Sequence, residues 1–175
     1  MPNNQNISVI SKNIDIALIH NELRNPQVDD LWKSFGPIFN AFIHTETLLL
    51  VGSFSDGTLD ENAFRNSTEI TDYHKELFPE TFKWLSNNFE DVQRASFIKL
   101  FPRHRVKKHK DVGEYFEKIQ RFHLCIKGEY IYYVGEDSLH VKPGTLFTFD
   151  NNVIHGAQNM KNINRITLVF DVLKE

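Results

Sequence analysis

Apolar and polar positions along this 175-residue chain fall into two regimes that meet near Arg94. Ahead of that point the pattern is mixed. Residues 14–23 (IDIALIHNEL) predict a short helix that stops before Pro26. Residues 42–54 (FIHTETLLLVGSF) predict an apolar strand bounded by Asp56-Gly57. Over residues 72–89, Tyr73, Leu77, Phe78, Phe82, Leu85 and Phe89 recur near a 3.6-residue period and predict a helix with one buried face. Pro79 lies inside that run, so the helix either kinks or begins there.

Beyond Arg94 nearly every apolar run is strand-like: residues 95–101, 121–126, 130–134, 138–141, 145–149 and 164–172. Lys127-Gly128-Glu129 and Lys142-Pro143-Gly144 separate two pairs of them, and in the second turn proline presets φ while glycine supplies a positive one. Short strands with such turn signals predict an antiparallel sandwich or barrel. The 94–175 segment is too short for a complete eight-stranded jelly roll, so the first half has to lend strands. The expected architecture is mainly β: one domain over 1–175, a core unit at 94–175, and N-terminal helices packed on the barrel.

Composition narrows the chemistry. Twenty-three acidic residues against 20 Lys plus Arg give a formal charge of −3, which offers nucleic acid or an acidic membrane no whole-chain attraction. A single Cys rules out an internal disulfide and a Cys-rich zinc site. With eight His, any metal site must be built from nitrogen and carboxylate. The polar start (MPNNQN) lacks a secretory pattern, and the longest apolar run, residues 47–54, falls far short of the roughly 20 residues of a membrane helix. A soluble, cytoplasmic protein without internal repeats is expected.

Four constellations could carry chemistry. His109 and Asp111 share a face if their segment is a strand. They also close a basic run, residues 102–110 (PRHRVKKHK), for which a solvated charged face is the plainer reading. Nucleic-acid binding is a third reading of the run, weakened by the acidic total and the absence of a reader module. His155 lies 44 to 46 residues after that pair and can complete a facial triad of two His and one carboxylate, typical of non-haem Fe(II) oxygenases. A histidine satisfied within a core or turn is the alternative. Arg165 opens an apolar strand, where a guanidinium is costly unless it meets a carboxylate; Asp171 or a ligand could supply one. Arg121, His123 and Cys125 share one strand face, which is either a solvated exterior or the lining of a polar pocket.

In order and spacing, residues 97–172 resemble the aspartyl/asparaginyl β-hydroxylase family. The resembling motifs are Phe97-Ile98-Lys99-Leu100-Phe101-Pro102, His109-Lys110-Asp111, Arg121-Phe122-His123-Leu124, the stretch from Phe149 to His155, and the one from Arg165 to Asp171. That family comprises cupin-type, double-stranded β-helix (jelly roll) oxygenases dependent on Fe(II) and 2-oxoglutarate, some acting on free amino acids such as proline. The resemblance implies that His109, Asp111 and His155 are the catalytic metal ligands. It implies that Arg165 binds the distal carboxylate of 2-oxoglutarate, and that Arg121 and His123 contact the co-substrate or the substrate. O₂ is the second co-substrate. Asn159 or Gln158 is expected beside His155 as a hydrogen-bond partner, and Cys125 near the oxidising centre.

The chain departs from the family pattern in three places. Arg103 follows Pro102 where Gly is usual, residues 112–120 (VGEYFEKIQ) form a long spacer, and Ile98 or Lys99 occupies the region of a co-substrate serine. Arg121 or His123 is then expected to hold the 2-oxoglutarate end nearest the metal. A small-molecule or peptide substrate follows, an amino acid free or in a chain, with neither nucleic acid nor membrane as partner. Arg103, Arg105, Lys107 and Lys108 could attract an acidic substrate, although solvated surface is the plainer reading. Two rivals stand beside this hydroxylase. One is a 2-oxoglutarate-independent metal cupin enzyme, with no need of Arg165. The other is a non-catalytic jelly-roll binding module. His20, His44, His74, His104 and His140 are given no function.

Overall fold

The computed structural model describes residues 6–34, 40–51 and 72–174. The N-terminal half gives strand β1 (Ile7–Ser11), helix α1 (Ala17–Glu22), β2 (Thr45–Val51), α2 (Asp72–Leu77) and α3 (Pro79–Asn88). Strands β3 (Val92–Leu100) and β4 (Arg105–His109) lead to α4 (Glu114–Lys118) and β5 (Ile119–Lys127). The chain ends in β6 (Tyr130–Val134), β7 (Asp137–Val141), β8 (Leu146–Phe149), β9 (His155–Gln158) and β10 (Arg165–Leu173). No helix among the described residues is long and apolar enough to cross a membrane.

The strands form two antiparallel sheets, one ordered β1-β8-β5-β10-β3-β2 and the other β4-β9-β6-β7. Period-two alternation sends the side chains of β5 and β10 to two different cores. Leu124, Ile126, Leu168 and Phe170 pack outward with Ile19, Phe78 and Leu85 of the helical layer. Cys125, Phe147 and Phe149 of the large sheet face inward and meet Val106, Tyr130, Tyr132 and Ala157 of the small one. This is a mainly β, jelly-roll (cupin) architecture, and the space between its sheets is where polar inward-facing residues collect.

Local chemistry explains where elements start. Pro79 occupies the first turn of α3, where its missing N–H costs nothing, so the predicted run divides into two helices rather than kinking. The backbone N–H of Glu80 and of Thr81 donate to the Glu22 carboxylate at 2.5 and 3.1 Å, tying α1 to the start of α3. Helix α1 is shorter than residues 14–23, and ahead of it Ile14 donates its N–H to the Gly144 carbonyl at 3.0 Å. Gly144 itself sits at φ +82°. A side chain there would put Cβ 2.8 Å from the Ile14 oxygen, so the Lys142-Pro143-Gly144 turn and the N-terminal segment are mutually fitted. The predicted strand over 42–54 is observed as Thr45–Val51; its expected end at Asp56-Gly57 lies outside the described residues. Strands β1, β4 and β9 were not expected as strands with partners. They are short, and β1 and β4 each bury a single side chain, so neither shows a core-facing period.

Candidate active site

His109 ends β4 and His155 opens β9, and the two are register partners in one antiparallel ladder. Their ring centroids lie 4.5 Å apart. Gly156 makes this approach possible, because a Cβ there would stand 2.9 Å from the Val106 carbonyl oxygen of β4. Each imidazole is oriented by its own backbone. His109 Nδ1 lies 2.8 Å from the Lys107 carbonyl, and His155 Nδ1 lies 2.9 Å from that of Val153. A carbonyl only accepts, so both Nδ1 atoms carry the hydrogen and both Nε2 lone pairs are left for a ligand.

Asp111 completes the cluster from beyond the end of β4, so its approach owes nothing to strand alternation. Its Oδ1 is 3.8 Å from His109 Nε2 and its Oδ2 is 3.8 Å from His155 Nε2. The three ligand atoms lie within 4.8 Å of one another. Two imidazole nitrogens and one carboxylate converging on one point fit a divalent metal, and this donor set leaves a face open for other ligands. Burial draws His155 down to about 4, against the opposing pull of the Asp111 charge, so its imidazole stays neutral at neutral pH.

Arg121 is aimed at this cluster, but as a partner of carboxylates already in the protein. Its Nε and Nη2 donate to the two Asp171 oxygens at 2.7 and 2.9 Å, and its Nη1 donates to Asp111 Oδ2 at 2.9 Å. Asp171, the internal carboxylate considered for Arg165, is thus taken by Arg121 instead. His123 lies buried among the rings of Tyr132, Phe147 and Phe149, with centroids 5.0 to 5.3 Å away. Burial, then the charges of Arg121 and Arg165, hold it well below the usual histidine range, and its Nδ1 has no hydrogen-bond partner among the described residues.

Arg165 is 2% exposed. Its Nη1 donates to Thr167 Oγ1 at 3.0 Å, its guanidinium lies 4.3 Å from the Tyr130 ring, and its buried Nε has no partner among the described residues. No ion pair joins it to a carboxylate among the described residues. Together with His109, Arg121, His123 and His155 it lines a cleft whose walls are apolar, including Phe42, Ile98, Tyr132, Phe149 and Val169.

Other expectations resolve differently. Asn159 does not touch His155. Its amide donates to the carbonyls of Leu100, Phe101 and Ile163, clamping two loops, while Gln158 meets Tyr133. Cys125 faces inward as expected, yet it is fully buried, its thiol lies 3.2 Å from the Gly128 carbonyl, and burial raises it to about 12. Ile98 lines the cleft in the serine region, whereas Lys99 points away to Glu46 at 2.7 Å. Arg105, Lys107 and Lys108 are exposed on the edge strand β4, where charge discourages edge-to-edge pairing. The sequence reading missed Tyr115, whose hydroxyl donates to Asp171 Oδ2 at 3.0 Å. The overlong spacer was the one signal pointing to it.

The chain matches the aspartyl/asparaginyl β-hydroxylase family over residues 20–175. It belongs to that family. No curated protein matches the chain. Solved structures that it resembles include a predicted oxalate decarboxylase from Thermotoga maritima, 17% identical, with 74% of this chain and 81% of that one covered and a TM-score of 0.45. KdgF from a Halomonas species is 10% identical, with 82% and 87% covered and a TM-score of 0.46. This hydroxylase-family member is therefore a cupin-type enzyme with a His-Asp-His cluster suited to a metal ion.

Proposed function

We propose that the protein is an Fe(II)- and 2-oxoglutarate-dependent hydroxylase of an amino acid, free or within a peptide. The observation that carries the reading is Arg165: a buried guanidinium on the cleft wall, beside the metal cluster, without a carboxylate partner among the described residues. Burying such a charge is costly unless an anion joins it, and a dicarboxylic co-substrate supplies one.

In this reading His109, Asp111 and His155 hold Fe(II), and Arg165 receives the distal carboxylate of 2-oxoglutarate. Fe(II) with 2-oxoglutarate and O₂ supplies the oxidising power, yielding succinate, CO₂ and one hydroxyl group on the substrate. The chain itself binds, orients and shields. Neutral His123 offers a polar nitrogen to the cleft without a second charge. Phe42, Ile98, Tyr132, Phe149 and Val169 keep water from the reacting centre. Ile98 cannot donate a hydrogen bond as serine would, so co-substrate binding leans more heavily on Arg165.

The test is turnover of the Fe(II)-loaded protein in air with free amino acids and short peptides. Succinate is expected in one-to-one ratio with a hydroxylated product. Product formed equally well without 2-oxoglutarate would overturn the proposal in favour of a 2-oxoglutarate-independent metal enzyme.

A further inference from the structure

We infer that Asp171 is a positioning residue for the metal centre, acting through Arg121 on Asp111. The inference rests on the reading of His109, Asp111 and His155 as metal ligands. Asp111 stands outside regular structure, and the Arg121 bond is the only hydrogen bond its carboxylate receives among the described residues. The direction of that bond therefore decides where the carboxylate points.

Arg121 cannot set this direction alone, because its side chain has several rotatable bonds. Asp171 removes that freedom. It faces Arg121 across the β5–β10 ladder as its register partner, is 1% exposed, and takes Nε and Nη2 in a two-bond fork. A planar guanidinium gripped on one edge has one orientation, with Nη1 pointing to Asp111. The spacer 112–120 reinforces the grip. It folds into α4, whose Tyr115 donates to Asp171 and whose Phe116 ring lies 5.0 Å from the guanidinium. The row Asp171, Arg121, Asp111 alternates in charge. Without the Asp171 charge, Arg121 is free to swing wholly onto Asp111 and compete with the metal for its oxygens.

Calorimetric titration of metal-free protein with Co(II) alone, without 2-oxoglutarate, tests this directly. Asp171→Asn and Arg121→Lys should weaken Co(II) binding about 10–100-fold, the range seen when groups behind metal ligands are removed. Both should also shift the Co(II) absorption bands. Tyr115→Phe should weaken binding by a smaller factor, and it serves if circular dichroism shows Asp171→Asn to be unfolded. In Tyr115→Phe, whose side chain is not part of the cleft lining, the affinity for 2-oxoglutarate at saturating metal should stay within about threefold of the parent. Unchanged Co(II) affinity in folded Arg121→Lys and Tyr115→Phe, with a raised KM for 2-oxoglutarate or amino acid, would overturn the inference and make Arg121 a ligand-binding cation. Because metal alone is titrated, failure of 2-oxoglutarate to bind the parent protein would sink the hydroxylase proposal and leave this result standing.

Discussion

A buried arginine, a strained arginine and a buried histidine each carry a test at the scale of one residue. Arg165→Ala should lose at least about 100-fold in 2-oxoglutarate affinity while binding Co(II) as before, since truncating a buried charge partner costs several kcal/mol. Titration of both ligands decides it, and equal loss of the two would make Arg165 structural through Thr167 and Tyr130. Arg103 stands at φ +62°, the left-handed region that glycine enters without penalty. Arg103→Gly should therefore stabilise the protein by about 1 kcal/mol in urea melts, unless its bond to Asn162 at 2.7 Å outweighs the strain; a clear loss would show that it does. The pH dependence of folding follows from His155. Unfolded, it takes a proton near 6.5, and folded only near 4, so the unfolded state binds more protons between those values. Its stabilising contribution is thus complete above pH 6.5 and is lost as pH falls towards 4, by about 3 kcal/mol in metal-free protein. Buried His123 acts in the same direction. Urea midpoints that do not change between pH 7.5 and 5 would contradict this.

Among elements, the β4–β9 ladder matters most because it sets the distance between His109 and His155. Gly156→Ala forces a Cβ against the Val106 carbonyl, so the strands must part beside the ligands. The expected cost is about 1–3 kcal/mol of stability, with weaker Co(II) binding in protein that is still folded; unaltered binding would show that the cluster tolerates strand separation. Away from the site, Glu22→Ala should unfasten α1 from α3, lowering the melting temperature while sparing Co(II) affinity. Much of this layout is legible in the sequence where a physical rule acts locally. Alternation put Arg121, His123 and Cys125 on one face and Phe122, Leu124 and Ile126 on the other, and the turn at Pro143-Gly144 needs only its two residues. Strands β1 and β4 escaped notice because edge strands bury too little to show a period, and β9 because four residues are too few. The Arg121–Asp171 fork escaped for another reason. It joins residues 50 apart in sequence, whereas Arg165 lies six residues from Asp171 on one extended strand, roughly 20 Å away at the rise of a β-strand and out of reach.

At the scale of the whole molecule, two cores divide the labour. The helical layer packs on the outer face of the large sheet, and the inner core fills the space between the two sheets beside the cleft. Arg165 from β10, His123 from β5, and His109 and His155 from the small sheet reach one cleft only because the two sheets face each other. The family assignment and the cluster geometry make a metal enzyme of this fold; the proposal adds that the cleft is built around a dicarboxylate. Anaerobic titration of 2-oxoglutarate into the parent protein, with and without Fe(II), tests that claim most directly. Saturable binding that requires Fe(II) is predicted. Absence of binding by the Fe(II)-loaded protein would contradict it.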